Sequence, residues 1–403
     1  MTDATIRPQK RLGAVFLSAA LVAAACVGTG ELGASPAGSV ATGSPGASPP
    51  PSAAESASPS ALPEALAAKT WVTLNPVGTL GAAVAGTLDG RYHLTLPPDE
   101  VGLTAADFRV VSVIWTKAPD GSIERSTLIV RDLRENGAEV ARFAVSGQVA
   151  PGQAALAGET LFFAGDGASD RVAGVYAGSL ADGTVRTLID PGPPPAELAA
   201  SIGSVVFALQ MGPGVSRGPV VLSPSGRTLG SNVCGNGRCT IEVVDLSGGT
   251  VQRPFTAVPF ALWLLSETTV IAVDDASVYA YDGSGGARWT LKDKRPQSAG
   301  YLTSDGSQLV VLYQDLDPGA DAAVVLASVD VVSGGERVLR RWGRDQVAPL
   351  LWAAVSTDEA AVLIPGGMEP GEALDRGGGT FRADVLDLRT GALAQASLVI
   401  SDC

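Results

Sequence analysis

The chain has 403 residues, with 41 acidic against 28 basic side chains, a formal charge of −13 and a single histidine. An acidic surface without a basic stripe argues against nucleic acid as a partner and against anionic lipid head groups. One histidine, His93, leaves little material for a Ser-His-Asp triad or a histidine-based zinc site.

Arg7, Lys10 and Arg11 open the chain, and Leu12 to Ala25 follows without a charge. That run is shorter than the ~20 apolar residues a membrane-spanning helix needs. A basic start, an apolar core and the small residues Ala23-Ala24-Ala25 are the pattern of an export signal. Residues 1–25 are therefore expected to be a signal peptide. Cys26 would be the first mature residue, and this arrangement resembles a bacterial lipoprotein signal, with Ala23 where leucine is usual. The resemblance implies lipidation of Cys26, the membrane as partner through that anchor, and a place outside the cytoplasm, on the membrane or cell surface. Simple secretion is the alternative, because Ala23 and Ala25 also satisfy a general A-x-A cleavage pattern.

From Val27 to Thr70 there is no aromatic residue, and Ala, Ser, Pro and Gly dominate. Such a segment cannot bury enough apolar surface to offset the entropy of ordering it. Residues 26–70 read as a lipid-anchored disordered linker that spaces the body from the membrane.

Residues 71–403 read as the folded domain. Short runs of Val, Ile, Leu, Tyr and Phe, bounded by Gly, Asp, Ser or Pro, predict strands almost throughout. One corner recurs: an apolar strand, an Asp, a short turn with Gly, then another strand. It stands at Asp132, Asp245, Asp282, Asp330 and Asp387, with Ser179 in the same place once. The anchors are about 50 residues apart on average, close to the period of a four-stranded propeller blade. Phe260–Leu264, Val270–Val273, Val278–Tyr281 and Ala287–Leu291 supply four strands in order for one such unit. The fold class expected is all-β, a β-propeller of seven (six to eight) four-stranded blades. Trp71 to Pro97, with an Asp89-Gly90 hairpin, would supply the seventh blade or the closing strand. The runner-up is two packed β domains divided within residues 191–219, where Pro191-Gly-Pro-Pro-Pro195 lies.

Leu222-Ser-Pro-Ser-Gly-Arg-Thr-Leu229 and Leu302-Thr-Ser-Asp-Gly-Ser-Gln-Leu-Val-Val311 resemble the hairpin of WD40-like propellers of the TolB type. Val278 to Leu291, with Trp289 after the turn, resembles a single quinoprotein-type repeat. The resemblance implies a propeller and often a binding or scaffolding role, and carries no particular activity with it.

Cys234-Gly-Asn-Gly-Arg-Cys239 sets two thiols on either side of hairpin-turn chemistry. Outside the cell Cys234 and Cys239 should oxidise to a local disulfide. Two thiols without a nearby His or Cys do not close a zinc shell. Cys403 has no evident partner. Asp315, Asp317 and Asp321 form an oxygen-rich loop with part of a calcium ligand set, although the Gly and Glu of a helical calcium loop are out of register. A solvated turn is the plainer reading. Asp166 with Asp170, and Asp274 with Asp275, read as turn residues. Gly28-Thr-Gly30-Glu-Leu-Gly33 matches a dinucleotide fingerprint but has no strand before it and no helix after it. Trp115, Trp263, Trp289, Trp342 and Trp352 lie in or beside apolar strands, which points to packing between blades. Trp342, beside Arg340, Arg341 and Arg344, is the best candidate for exposure and cation–π stacking.

The function expected from sequence is a membrane-tethered propeller that binds or scaffolds a protein or glycan. The alternative is an enzyme on the same fold, a hydrolase or lyase or a quinoprotein-like dehydrogenase.

Overall fold

A computed structural model describes residues 70–72, 83–87, 91–167, 171–199, 215–297, 300–316, 322–343, 350–355, 360–364, 379–388 and 393–400. The leader, Cys26, the linker, Asp89, Gly90 and Cys403 lie outside them. The described residues form seven antiparallel sheets, here called blades. Blade 1 (70–95) has three strands; blades 2 (101–146), 3 (154–189), 4 (216–258), 5 (261–291) and 7 (350–400) have four. In blade 6 (294–343) the first strand comes in two pieces, Lys294–Pro296 and Tyr301–Leu302, both paired with Gln308–Asp315. Within each blade, strands pair in chain order, so each is a meander.

The recurrent corner is one structural position. Asp132, Ser179, Asp245, Asp282, Asp330 and Asp387 are each the last residue of a third strand. The Asp245 carboxylate accepts the N–H (2.9 Å) and the hydroxyl (2.6 Å) of Ser247, while the Gly249 N–H donates to the Asp245 carbonyl at 2.7 Å. The Asp282 carboxylate likewise accepts from Ser284 and also from the Gly286 N–H, while the Gly285 N–H donates to the Asp282 carbonyl, and the Asp330 carboxylate accepts from Ser333. Short acceptors hold the chain in a turn this way because they bond backbone donors two or three residues on. The corner needs its glycine at Gly334, where φ is +73° and an added Cβ would lie 2.6 Å from the Cβ of Trp289.

Strand side chains alternate between the two sides of a blade. Leu309, Val311 and Tyr313 pack on Ile271, Val273 and Val278 of blade 5, while Val310 and Leu312 pack on Leu386 and Leu388 of blade 7. Both faces are covered, so the middle of the strand, Leu309 to Tyr313, is apolar without alternation. Similar clusters join blade 1 to 2, 2 to 3, 3 to 4 and 4 to 5. The first strands of blades 1 to 5 touch one another in sequence, each against the next, and blade 6 meets the first strand of blade 7 through Tyr301–Leu302. Face-to-face stacking with first strands innermost makes the molecule a β-propeller, with seven blades among the described residues. The two-domain alternative fails at its proposed seam. Phe162, Ala164 and Val175 of blade 3 share one core with Val220, Leu229 and Val244 of blade 4.

Candidate functional site

A meander whose first strands run alike sends its 2–3 and 4–1 connections to one face and its 1–2 and 3–4 turns to the other. Among the described residues the second of these faces carries tight corners: the turns after Asp132, Asp245, Asp282 and Asp330, and the hairpins Ser223–Gly226 and Thr303–Gly306, in which the glycine N–H donates to the Ser223 or Thr303 carbonyl at 2.8 Å. The longer connections, 166–173, 190–215, 316–321, 344–349 and 365–378, all leave and re-enter the blades at the opposite face. That face is the candidate site.

In blade 4 its best-defined feature is the turn between the second and third strands. Cys234 and Cys239 stand opposite one another in register and are joined as a disulfide, both buried. Asn236 and Gly237 form the tip with φ of 52° and 74°, as a two-residue hairpin of this twist requires. The Asn236 side-chain amide donates to the Leu198 carbonyl at 2.6 Å. Leu198 lies in the short helix Ala196–Ala199 and is buried against Val172 and Val233. The long 190–215 connection is thereby fastened at its start to the disulfide turn.

Below that turn lies a buried charge network. Arg217, at the start of the first strand of blade 4, donates to Glu242 at 2.7 Å and to the Ala173 carbonyl of blade 3 at 2.6 Å. Burial lowers the Arg217 pKa, and the Glu242 carboxylate opposes that shift. Arg253, on the outer strand, reaches the other oxygen of Glu242 at 2.8 Å. A second pair, Arg131 with Glu100 at 2.5 Å, sits in blade 2, where Glu100 also accepts from Ser112. Neither network was nominated from sequence. The available signal was a charge interrupting an apolar strand, as Glu242 does in Thr240-Ile-Glu-Val-Val244.

The carboxylates singled out earlier are engaged in structure. Asp166 accepts the Tyr176 hydroxyl at 2.5 Å and the Ser146 N–H at 3.1 Å; Asp170 lies outside the described residues. Asp274 accepts the Tyr279 hydroxyl at 2.6 Å and the N–H groups of Ala276 and Ser277. Burial first, then the hydrogen bond to Asp274, pushes the Tyr279 phenol up to about 12. Tyr176 is raised for the same two reasons. The Asp275 carbonyl accepts from Arg295 at 2.9 Å. Asp315 is paired with Lys294, whose ammonium also lies 5.1 Å from the ring centre of Tyr313. Asp317 and Asp321 fall outside the described residues, so the three carboxylates are not seen together. Among the described residues no three His, Cys, Asp or Glu side chains gather as metal ligands.

His93 is an exposed position on the third strand of blade 1. Trp115 and Trp289 donate their indole N–H groups to the carbonyls of Val149 and Val331, both at 3.0 Å, and Trp263 packs on the core between blades 5 and 6. Packing is thus the role of these three. Trp342 is half-buried, with the Arg340 guanidinium 5.8 Å from its ring centre, and the Trp352 side chain is outside the description. No described helix is long and apolar enough to cross a membrane.

These features define a β-propeller with one face of tight corners and one of long connections. No family model and no curated protein matches the chain. Among solved structures it is similar to an oligogalacturonate lyase in complex with manganese, at 14% identity and TM-score 0.48, covering 82% of this chain and 85% of that one. It is also similar to TolB from Acinetobacter baumannii, at 14% identity and TM-score 0.39, covering 81% and 78%. A third is the periplasmic gluconolactonase of Pseudomonas aeruginosa, at 17% identity and TM-score 0.47, covering 83% and 96%. Likenesses at these values carry no argument about chemistry.

Proposed function

We propose that this chain is an exported, membrane-tethered propeller that binds a protein or glycan through the face of its long connections. The observation that carries the reading is the division between the two faces. The described polar corners on one face are mostly consumed by hydrogen bonds within their own turns, as at Asp245, Asp282 and Asp330, whereas the strand ends that bound the longer connections lie on the other. Loops held by a rigid scaffold are where recognition is usually built. Cys26 would supply the tether and residues 26–70 the reach.

The test compares faces. The full chain, solubilised in detergent and immobilised, is exposed to envelope extract and to a glycan array, beside a variant in which a Gly-Ser turn replaces 365–378 and a variant carrying Asp282→Asn on the opposite face. Capture that is lost only with the first variant is expected. Capture that survives it, or no capture from either source, rejects the reading. Turnover of glycan, lactone or ester libraries, or a bound quinone chromophore, would transfer support to the enzyme alternative.

A further inference from the structure

We propose that the outer strand of blade 6, Glu336–Gly343, is a docking edge for an acidic, extended peptide segment of a partner protein, which adds to the sheet as a further strand. Among the described residues the strand pairs on one side only, with Ala322–Asp330. Its outward N–H and C=O groups form the kind of row that another strand can complete.

The side chains say which strand. Arg340 and Arg341 are both exposed, and no described ion pair reaches either. As consecutive residues paired in regular register with Leu326 and Val325, they point to different sides of the sheet. Arg340 shares the blade 7 side with Leu326, and Arg341 shares the blade 5 side with Val325. Trp342 holds Arg340 against its ring. Positive charge thus flanks the edge on both sides in a chain of net charge −13.

The other outer strands do not repeat this. Arg142 in blade 2 is paired with Glu139, Arg253 in blade 4 with Glu242, and Arg288 in blade 5 donates to the Thr268 carbonyl. Blade 3 has a single arginine there, Arg186. Charge on an edge also guards it against aggregation; two guanidiniums on opposite sides of one strand, with no described ion pair at either, further match a strand with carboxylates on both faces. An acidic peptide satisfies ladder and charges together. A sulfated glycan satisfies only the charges. The edge is separate from the face of the long connections, so the proposal stands or falls independently of the binding role given to that face.

The experiment is fluorescence anisotropy on the full-length protein in detergent, with a fluorescein-labelled Glu-Glu-Val-Glu-Glu-Thr-Val peptide as probe. Saturable binding that weakens with salt is expected. R340E/R341E should reduce affinity about tenfold or more, with R340Q/R341Q intermediate, since charges at such a rim act through complementarity. Unchanged urea midpoints in both variants establish that the fold survives. The same peptide N-methylated at alternate amides should lose binding to a similar extent. Binding indifferent to the arginine changes, equal binding of the N-methylated peptide, or tighter binding of a heparin oligosaccharide through the same arginines would each overturn the proposal.

Discussion

Four donors converge on Asp330: the N–H groups of Val332 and Ser333, the Ser333 hydroxyl and, at 3.4 Å, the Gln308 side-chain amide. They favour the charged carboxylate, with the Ser333 N–H foremost, and lower its pKa below the ordinary value. A folded-state pKa that is depressed stabilises above the unfolded carboxyl value of about 3.9 and stops doing so as pH falls through the folded value. Asp330→Ala should therefore lower stability by about 1 kcal/mol at neutral pH, the scale of a lost capping bond. Urea unfolding curves of the variant and the native chain should draw together as pH falls below the unfolded carboxyl value of about 3.9. Equal destabilisation at both pH values would show that the carboxylate charge plays no part. At Tyr279 the sign is reversed. Its phenol is raised to about 12, so the neutral form is favoured on folding. That contribution is complete below about pH 10 and is lost only as pH rises through the folded value. Absorbance titration should show Asp274→Asn bringing one tyrosine to a lower pKa, while the native residue stays protonated at pH 11.

At the scale of an element, blade 4 rests on a buried ion pair. Glu242 and Arg217 have side chains 5% and 3% exposed, whereas Arg253 is 60% exposed. Removing one partner of a buried pair leaves the other charged and unsolvated, which costs about 3–5 kcal/mol. An exposed partner contributes about 1 kcal/mol or less. Glu242→Gln should lower the urea midpoint sharply and Arg253→Ala only slightly; similar effects of the two would mean that the network is solvated. This pair also marks where sequence reading stops. The Asp-to-Gly corners are legible because a turn is local: the carboxylate, its donors and the glycine lie within a few residues. The disulfide is legible for the same reason, since Cys234 and Cys239 face each other across their own hairpin. Arg217 and Glu242 are 25 residues apart and meet only because a bulge in the first strand and the pleat of the third bring them to the blade 3 side. No spacing announces such a contact. Blade 1 is harder to read for a similar reason: Thr70–Val72 and Val84–Thr87 are short, pair across a long interval and have no Asp corner. The candidate face was legible as an insertion-rich region near Pro191, but not as a face, because which connections share a side follows from strand direction in the assembled ring.

For the whole molecule the question is what the propeller is attached to. Blades 2 to 6 bury both sides against their neighbours, and in the function proposed above attachment falls to the chain before Trp71. A single acyl group binds a membrane only marginally, and stable anchoring takes more than one chain. Lipidation at Cys26 of the bacterial type, which the Ala23-Ala24-Ala25-Cys26 sequence resembles, would meet that need at one residue. Residues 26–70 would then behave as a flexible tether whose reach grows with the square root of its length, leaving the propeller free to turn either face outward. Expressed in a bacterial host, the native chain should incorporate labelled palmitate, sediment with membranes and be released by detergent but not by salt. Cys26→Ser should abolish the label. Because Ala23 and Ala25 also satisfy a general cleavage pattern, the variant should be cut there and recovered as a soluble exported protein with an unchanged unfolding midpoint. Membrane retention of Cys26→Ser without label would relocate the attachment to the propeller itself, and the tether would then have no role in placing its binding face.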